Sequence, residues 1–379
     1  MVSRAKDCEV VLAIQDTTDL DFTSHPGTQG LGFINQTQQQ GVKVHNCFAV
    51  SGTGCPLGLL HQHCWTRSQR SGKKGKRAHT PIAQKESYRW LTTLKAAEVD
   101  IPETVKLIHI GDREADIFEL FAQSRQPNSE LLIRAEHNRR VQHELGYLIP
   151  TMEQAAIVGE TTIELERNPS RPARSAHLTI KAMSLSIEVP VNHPKPHNLE
   201  AMTLNVLLVE ETERPADGSE PIRWLLLTTL PIDTFEQAWQ CVVYYSYRWQ
   251  IERFHFTLKS GCRIEALQLQ SKSRLLKALA TYDIIAWRIM WLRHEARANP
   301  DASCEAILHP HEWRLLRRRF NPKSRSRKPP TIRQAIVWIA QLGGFLARKG
   351  DGEPGLTTLW RGFSTFHLLL EGAQLAAKT

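Results

Sequence analysis

The segment from Phe235 to Cys262, FEQAWQCVVYYSYRWQIERFHFTLKSGC, limits the possible folds more than any other part of the chain. It contains no Pro, and no Gly before Gly261, so it predicts one long α-helix. At about 100° per residue, one stripe of this helix is apolar and predicts packing on a core along that side: Trp239, Val243, Tyr247, Ile251, Phe254 and Leu258. A second stripe, within an arc of roughly 60° by the same geometry, is polar: Tyr245, Arg248, Glu252 and Lys259. Charged residues usually lie in water, so a solvated stripe is the alternative to a functional one.

The composition is that of a soluble globular protein and favours a polyanionic partner. The 379 residues are 41% hydrophobic and 23% charged, enough for two or three domains, and carry a net charge of +9. Lys and Arg that neutralise phosphates release counterions, so this charge favours nucleic acid. The N-terminal MVSRAKDCEV has no apolar signal core, and no uncharged apolar run reaches about 18 residues, so we expect a cytoplasmic protein with no membrane contact. The seven cysteines include no CxxC pair, as is typical of reduced thiols.

The first 138 residues predict an α/β sheet of mixed strand order. The predicted strands are Val10–Ile14, Val42–Val50, Pro56–Trp65, Val105–Ile110 and Ser129–His137, with helices at about Ile82–Val99 and from about Ala115. The turn SGTG joins the second and third strands, so the first three form a meander. Asp16 and Asp112 follow the carboxyl ends of two apolar strands, where active groups gather on such sheets. A single aspartate after a strand is more often a turn former or helix cap, which is the alternative interpretation of each.

The remaining chain predicts a β insertion, a return to the sheet and a helical tail. Period-two alternation predicts strands at Thr161–Glu166, His177–Ala182, Leu185–Val191 and Met202–Val209, separated by turns such as NPSRP and HPKPHN. RWLLLTT, from Arg223 to Thr229, predicts a buried strand that returns to the core before the long helix. Helices are predicted at Leu275–Ala296, Cys304–Phe320, Ile332–Arg348 and Leu356–Ala377. The resulting divisions are 1–138, 139–222, 223–298 and 299–379.

Two strand-end aspartates and a helical glutamate form the ligand set that two magnesium ions require. Mg²⁺ prefers carboxylate oxygens and keeps waters for a substrate phosphate. Two such ions clamp an in-line displacement at phosphorus, one activating the attacking oxygen and one stabilising the leaving oxygen. We therefore predict a site of Asp16, Asp112 and Glu252, with Mn²⁺ as a substitute metal. Arg248 and Lys259, on the same helical face as Glu252, are predicted to hold phosphate oxygens.

Three motifs carry a family resemblance. IQDTT at Ile14–Thr18, GDREAD at Gly111–Asp116 and Tyr-x2-Arg-x3-Glu-x6-Lys at Tyr245–Lys259 resemble the DDE cut-and-paste transposases of the IS-four family, which include the Tn-five transposase. The resemblance extends from about Cys8 to Ala377. It implies a ribonuclease-H-like core with an antiparallel β insertion and a C-terminal helical dimerisation region. It also implies that Asp16, Asp112 and Glu252 bind the metal.

The resemblance further implies an activity and a set of DNA contacts. The expected reactions are nicking, hairpin formation and strand transfer at insertion-sequence ends and target DNA, by a homodimer on double-stranded DNA in the bacterial nucleoid. Residues similar to those that grip DNA in the family are Tyr245, Arg248, Lys259 and Arg113. Trp224 matches a tryptophan that stacks on a flipped base, and such stacking recovers much of the unpairing cost. A tryptophan in a buried strand is otherwise normally part of the core.

The position of the first aspartate departs from the family pattern. Asp16 lies so near the start that the N-terminal helical domain of the family is expected to be missing, as in a truncated or split frame. The basic stretches Arg67–Arg77 and Arg317–Arg327 can supply phosphate contacts, and such contacts position a protein on DNA without reading sequence. Little preference for terminal repeats is therefore expected. The alternatives to an active transposase are a structure-selective nuclease on the same fold and an inactive relic that inhibits a full-length relative by pairing with it.

Overall fold

The computed structural model describes residues 2–35, 38–68, 80–165, 173–191, 193 and 199–376. The strands are β1 Val10–Asp21, β2 Gly32–Phe33, β3 Gln40–Ser51, β4 Pro56–Trp65, β5 Lys106–Gly111, β6 Ser129–Arg134, β7 Ile157–Leu165, β8 Arg174–Ile187, β9 Met202–Glu211 and β10 Arg223–Thr228. The helices are α1 Val2–Lys6, α2 Tyr88–Asp100, α3 Phe118–Ala122, α4 Leu148–Gln154, α5 Phe235–Ser246, α6 Trp249–Phe256, α7 Lys272–Ala298, α8 Pro310–Phe320, α9 Ile332–Leu342 and α10 Leu356–Ala376. The NPSRP turn, most of the HPKPHN turn and most of the basic stretch from Arg67 to Arg77 lie outside the described residues.

The described strands form one sheet whose centre has the mixed order predicted. The order is β2-β3-β1-β5-β6-β10-β9-β8-β7, and β4 pairs with the edge of β3. β1 runs antiparallel to β3 but parallel to β5, and β5 runs parallel to β6. Three antiparallel strands followed by two parallel ones give the ribonuclease-H-like centre that the resemblance implied. The predicted meander is confirmed, because β3 lies between β1 and β4.

Both faces of the central strands are buried, which explains their continuous apolar runs. On β1, Leu12 and Ile14 belong to the core shared with the long helices α5, α6 and α7. Val11 and Ala13 point to the opposite face and pack with Ala97 of α2. The period-two geometry of a strand therefore sends alternate residues of one run into two different cores.

The sequence predictions misplaced several element bounds. β1 does not end at Ile14, because β3 pairs with it as far as Asp21 while the parallel partner β5 stops at Ile110. The first long helix begins at Tyr88, after a short 3₁₀ turn at Ile82–Gln84. The helix predicted from Ala115 is a 3₁₀ turn at Arg113–Ala115 followed by α3.

The predicted β insertion extends the central sheet. The two strands predicted at His177–Ala182 and Leu185–Val191 are one strand, β8, which pairs with β9 from Leu178 to Ile187. β9 then pairs with β10, and β10 with β6. The sequence missed α4, a short helix that packs on β8 and β9. The division at 139–222 stays a prediction, since these strands hydrogen-bond directly to the core sheet.

The long helix predicted from Phe235 to Cys262 is divided into three parts. A capping box at Thr234 and Gln237 starts α5. Short-range bonds to Tyr244 and Tyr245 tighten the backbone at Tyr247 and Arg248 before α6 begins. A π-helical turn, Thr257–Gly261, follows α6, and such turns are frequent at functional sites.

The C-terminal helices follow the predicted pattern. α7 confirms the helix predicted from Leu275, and α8, α9 and α10 follow the boundary predicted at Asn299. α9 ends at Leu342, earlier than predicted. Among the described residues, none of the helices is long and apolar enough to cross a membrane.

Candidate active site

Asp16 and Asp112 lie side by side on neighbouring strands. The last parallel pair between β1 and β5 joins Ile14 to Ile110, and each aspartate follows its isoleucine by two residues. Side chains two residues apart on a strand share a face, so both carboxylates project from one face of the sheet. The Asp112 carboxylate also accepts a bond from the Glu114 N–H at 2.9 Å and caps the 3₁₀ turn. Asp112 therefore both caps this turn and lies beside Asp16.

The electrostatics of Asp16 show that three carboxylates converge. Its side chain is only 21% exposed. Burial, followed by the negative charge of Asp112, raises the pKa of Asp16 to about 7. The charge of Glu252 adds to this rise, while the Thr17 N–H, at 2.7 Å, and the charge of Arg248 oppose it. The site concentrates negative charge, and a bound cation would reduce the repulsion between the carboxylates.

Glu252 reaches this site from the helix side and is held by Arg248. α6 packs on β1, and Arg248 donates from a terminal guanidinium nitrogen to Glu252 Oε1 at 2.7 Å. Arg248 is 7% exposed, so it does not fit the solvated alternative for the polar stripe, and its contact with phosphate stays a prediction. Helical periodicity gave the direction of the side chain, whereas its depth depends on the elements packed around it. The Nε of Arg248 is buried without a hydrogen-bond partner among the described residues.

Tyr245 and Trp224 form an aromatic pair beside the acidic site. Tyr245 is 2% exposed, so the polar stripe is buried at this residue. Its ring meets the ring of Trp224 edge-on, with centroids 5.2 Å apart. Burial raises the pKa of Tyr245, opposed by the positive charges of Arg248 and Arg134. Trp224, on β10 opposite Val209, is half-buried and keeps part of its surface open.

The remaining predicted DNA contacts, Lys259 and Arg113, lie on either side of the aspartates. The Nζ of Lys259, in the π-helical turn, donates to the Asp19 carbonyl at 2.8 Å and lies 3.5 Å from Glu265. Arg113 directly follows Asp112 and forms an exposed pair with Glu136 at 3.4 Å. The structure thus groups the predicted residues of β1, β5, α6 and β10 around one edge of the sheet.

Two residues of this region were missed by the sequence analysis. His255, three residues after Glu252 on α6, is buried, and its Nδ1 lies 3.8 Å from Asp16 Oδ2. Its i,i+3 spacing from Glu252 was the available signal, because such residues share a helix face. Trp249 is 54% exposed, and the Arg248 guanidinium lies over its ring at 4.7 Å. The available signal for Trp249 was its place directly after Arg248 of the polar stripe.

The three carboxylates are spaced too widely to form a tight single-ion cluster. Within the described residues, the group with all ligand atoms within 4.8 Å of one another is Cys55, His294 and Glu295. It lies between the β3–β4 turn and the end of α7. The ligand atoms of Asp16, Asp112 and Glu252 do not all lie within 4.8 Å of one another. This spacing is compatible with ligands that are shared between two ions.

Two regions of the chain match known protein families. Residues 13–288 match the family described as Transposase DDE domain, which covers more than two thirds of the chain. The chain belongs to the DDE transposases. Residues 284–379 match the family described as Transposase Tn5 dimerisation domain, so this transposase joins a DDE core to a dimerisation region that begins within α7.

Membership determines the broad activity. This transposase is a DNA-cleaving and strand-transferring enzyme that acts in transposition. The nuclease and relic alternatives are not favoured, because both family matches point to a transposase. DDE transposases use divalent metal ions, and the oxygen donors of Asp16, Asp112 and Glu252 suit such ions.

Proposed function

We propose that this transposase cleaves and joins DNA at the site formed by Asp16, Asp112 and Glu252. The observation that supports this assignment is the convergence of their charges, which together with burial raises the pKa of Asp16 to about 7. Three carboxylates meet here, and Arg248 is the cation that pairs with one of them, Glu252. Perturbed acids of this kind cluster at functional sites, where their task requires them.

These residues would hold two Mg²⁺ ions, with Mn²⁺ as a substitute. When bound, the ions supply an activated oxygen nucleophile and stabilise the leaving 3′ oxygen. Asp16, Asp112 after β5 and Glu252 on α6 would supply the oxygen ligands, since the charges of Asp112 and Glu252 both raise the pKa of Asp16. Arg248 fixes the Glu252 carboxylate through their 2.7 Å ion pair.

DNA contacts are proposed for the groups that border the carboxylates. Lys259 and Arg113 supply positive charge for phosphates. The buried, unpartnered Nε–H of Arg248 can donate to a phosphate oxygen if the DNA backbone enters beside Glu252. Tyr245 is too buried to meet DNA directly, and we propose that it supports the ring of Trp224. The open part of Trp224 then stacks on a base that leaves the duplex during hairpin formation.

Dimer formation is proposed through the C-terminal helices. The face of α10 exposes large apolar side chains of the kind found in interfaces: Leu368 at 68%, Leu369 at 38% and Leu375 at 67%. We propose a homodimer on two insertion-sequence ends that inserts them into target DNA of the bacterial nucleoid.

Single substitutions at the three carboxylates test the assignment. The variants Asp16→Ala, Asp112→Ala and Glu252→Ala are assayed with Mg²⁺ on duplexes that carry the terminal repeats flanking the gene. Each should abolish cleavage and leave DNA binding intact, because loss of one ligand disables the shared site. Asp19→Ala is the matched control, since Asp19 lies on the same strand but pairs with Lys43. Near-normal cleavage by any one of the three variants would remove that residue from the site.

A further inference from the structure

We propose that a relay of hydrogen bonds, Asp283–Gln62–Asn46–His255, three of whose members are buried and the fourth, Gln62, partly buried, positions the Asp16 carboxylate from the side opposite Asp112. The relay connects α7, at the edge of the dimerisation region, with the catalytic sheet. Its members are positioning residues, because they act on the reaction through Asp16. The proposal rests on the assignment of Asp16 as a metal ligand.

The relay is continuous in the structure. Gln62 Nε2 donates to Asp283 Oδ2 and to Asn46 Oδ1, each at 2.8 Å. Asn46 Nδ2 lies 3.0 Å from His255 Nε2, and His255 Nδ1 lies 3.8 Å from Asp16 Oδ2. Asn46 is also the direct neighbour of Asp16 across the β1–β3 ladder. The contacts join β3, β4, α6 and α7, so no single element could supply them.

The chemistry of the donors gives the relay one direction. The carboxylate of Asp283 accepts from Gln62, and the Cys64 thiol, at 3.7 Å, faces the Gln62 oxygen. The Gln62 amide nitrogen therefore also faces Asn46 and makes the Asn46 oxygen the acceptor. The Asn46 nitrogen must then donate to His255 Nε2.

This direction determines the tautomer of His255. A neutral imidazole that accepts at Nε2 carries its proton on Nδ1, and that N–H faces Asp16. With the opposite tautomer, the Nδ1 lone pair would face a carboxylate oxygen and repel it. The relay thus directs the Nδ1–H of His255 towards Asp16 Oδ2, 3.8 Å away, while Asp16 Oδ1 accepts from the Thr17 N–H at 2.7 Å.

Burial makes the relay hard to replace by water. Asn46 is fully buried, Asp283 is 4% exposed and His255 is 7% exposed. Buried polar groups that lose a partner retain the desolvation cost, so each link holds the next in one orientation. Substitution of a residue that hydrogen-bonds to a metal ligand commonly lowers metal affinity or activity by about 10–100-fold.

Nuclear magnetic resonance of the full chain tests the direction of the relay without metal or DNA. With ¹⁵N-labelled histidine, the protonated and unprotonated ring nitrogens resonate in separate ranges, and the spectrum of His255→Asn identifies the His255 signals. We expect the Nδ1–H tautomer in the native protein. Gln62→Leu frees the Asn46 amide to turn, so Nε2–H should appear. An Nε2–H tautomer in the native protein would overturn the relay.

Manganese titration tests the consequence for Asp16. The electron paramagnetic resonance signal of free Mn²⁺ reports binding to the full chain. Gln62→Leu and Asp283→Leu should weaken Mn²⁺ binding by about tenfold, the lower end of the effect of such partners. Asp283→Asn keeps an acceptor for Gln62 and should bind nearly as the native protein does. Thermal denaturation shows which variants are folded.

The outcomes separate this inference from the proposed function. If Asp16→Ala weakens Mn²⁺ binding but both leucine variants bind normally, the relay is refuted and the metal site stands. If Asp16→Ala leaves Mn²⁺ binding unchanged, the metal role of Asp16 fails, and the positioning role fails with it. Weakened binding in the leucine variants with recovery in Asp283→Asn supports the relay, since a general packing defect would not depend on an acceptor at this position.

Discussion

Replacing Asp16 by Asn should stabilise the metal-free transposase at about pH 8 while it removes cleavage. The ionised Asp16 carboxylate is mostly buried beside Asp112 and Glu252, and these surroundings oppose its charge. Asn has nearly the same shape, is neutral and can still accept from the Thr17 N–H, which lies 2.7 Å from the carboxylate. The substitution therefore relieves an electrostatic cost without leaving a cavity.

The magnitude follows from the pKa of Asp16. One pKa unit corresponds to 1.36 kcal/mol, so a rise from 3.8 to about 7 corresponds to at most about 4 kcal/mol. Between these two pH values the folded state holds a proton on Asp16 that the unfolded state has released. The contribution of Asp16 to the free energy of unfolding therefore falls as pH rises from about 4 to about 7 and is constant above that range.

Chemical denaturation in a metal chelator measures this effect. The gap between Asp16→Asn and the native protein should be widest at about pH 8 and should close towards about pH 4. Excess Mg²⁺ should stabilise the native protein and not the variant, since only the native site binds the ion. Asp7→Asn, at an exposed position, is the control and should change little. A variant that is no more stable than the native protein at about pH 8 would refute the reasoning.

Three further predictions, two of them with a control substitution, concern neighbouring parts of the molecule. Trp224→Ala should permit the first nick but reduce hairpin products on a denaturing gel, because only the later step needs a base outside the stack; equal loss of both products would indicate a packing role against Tyr245. Arg139→Ala should lower the free energy of unfolding by about 3–5 kcal/mol, because it leaves the fully buried Asp116 carboxylate without its cation. As its control, Arg113→Ala breaks only the exposed pair with Glu136 and should lower the free energy of unfolding by about 0.2–1 kcal/mol. Equal losses in the Arg139 and Arg113 variants would show that burial of the ion pair does not decide its contribution. Lys259→Ala should weaken DNA binding and reduce the salt slope by about 1 in a fluorescence anisotropy titration, whereas Lys95→Ala on α2 should leave the slope unchanged.

The positions of Asp16 and Asp112 could be predicted because the change from apolar to polar residues is a local signal, although β1 continues beyond Asp16 to Asp21. Apolar runs such as Val10–Ile14 need burial on both faces, and the polar residues that follow mark where that burial changes. The predicted meander and the return strand β10 rested on the same kind of signal. The assignment of the carboxylates to a metal site came from their residue type, and it stays a prediction.

The sequence could not show how deeply the polar stripe of the long helix lies. Periodicity placed Tyr245, Arg248, Glu252 and Lys259 on one side, but Tyr245 and Arg248 are buried while Glu252 is partly open. Periodicity reports the direction of a side chain around a helix axis. Depth depends on which other elements cover that direction, and here β10 brings Trp224 against Tyr245.

What the sequence determined by itself is therefore most of the strands and helices, without α4 or the breaks in the long helix, and the identity of the chemical groups that follow the apolar runs. Tertiary structure alone decided which groups meet. Gln62 and Asp283 are 221 residues apart, and Asn46 and His255 are 209 residues apart, yet each pair is joined by a hydrogen bond. Local propensity and hydrophobic pattern act over a few turns of chain, whereas these contacts depend on the strand order and on how α6 and α7 pack on the sheet.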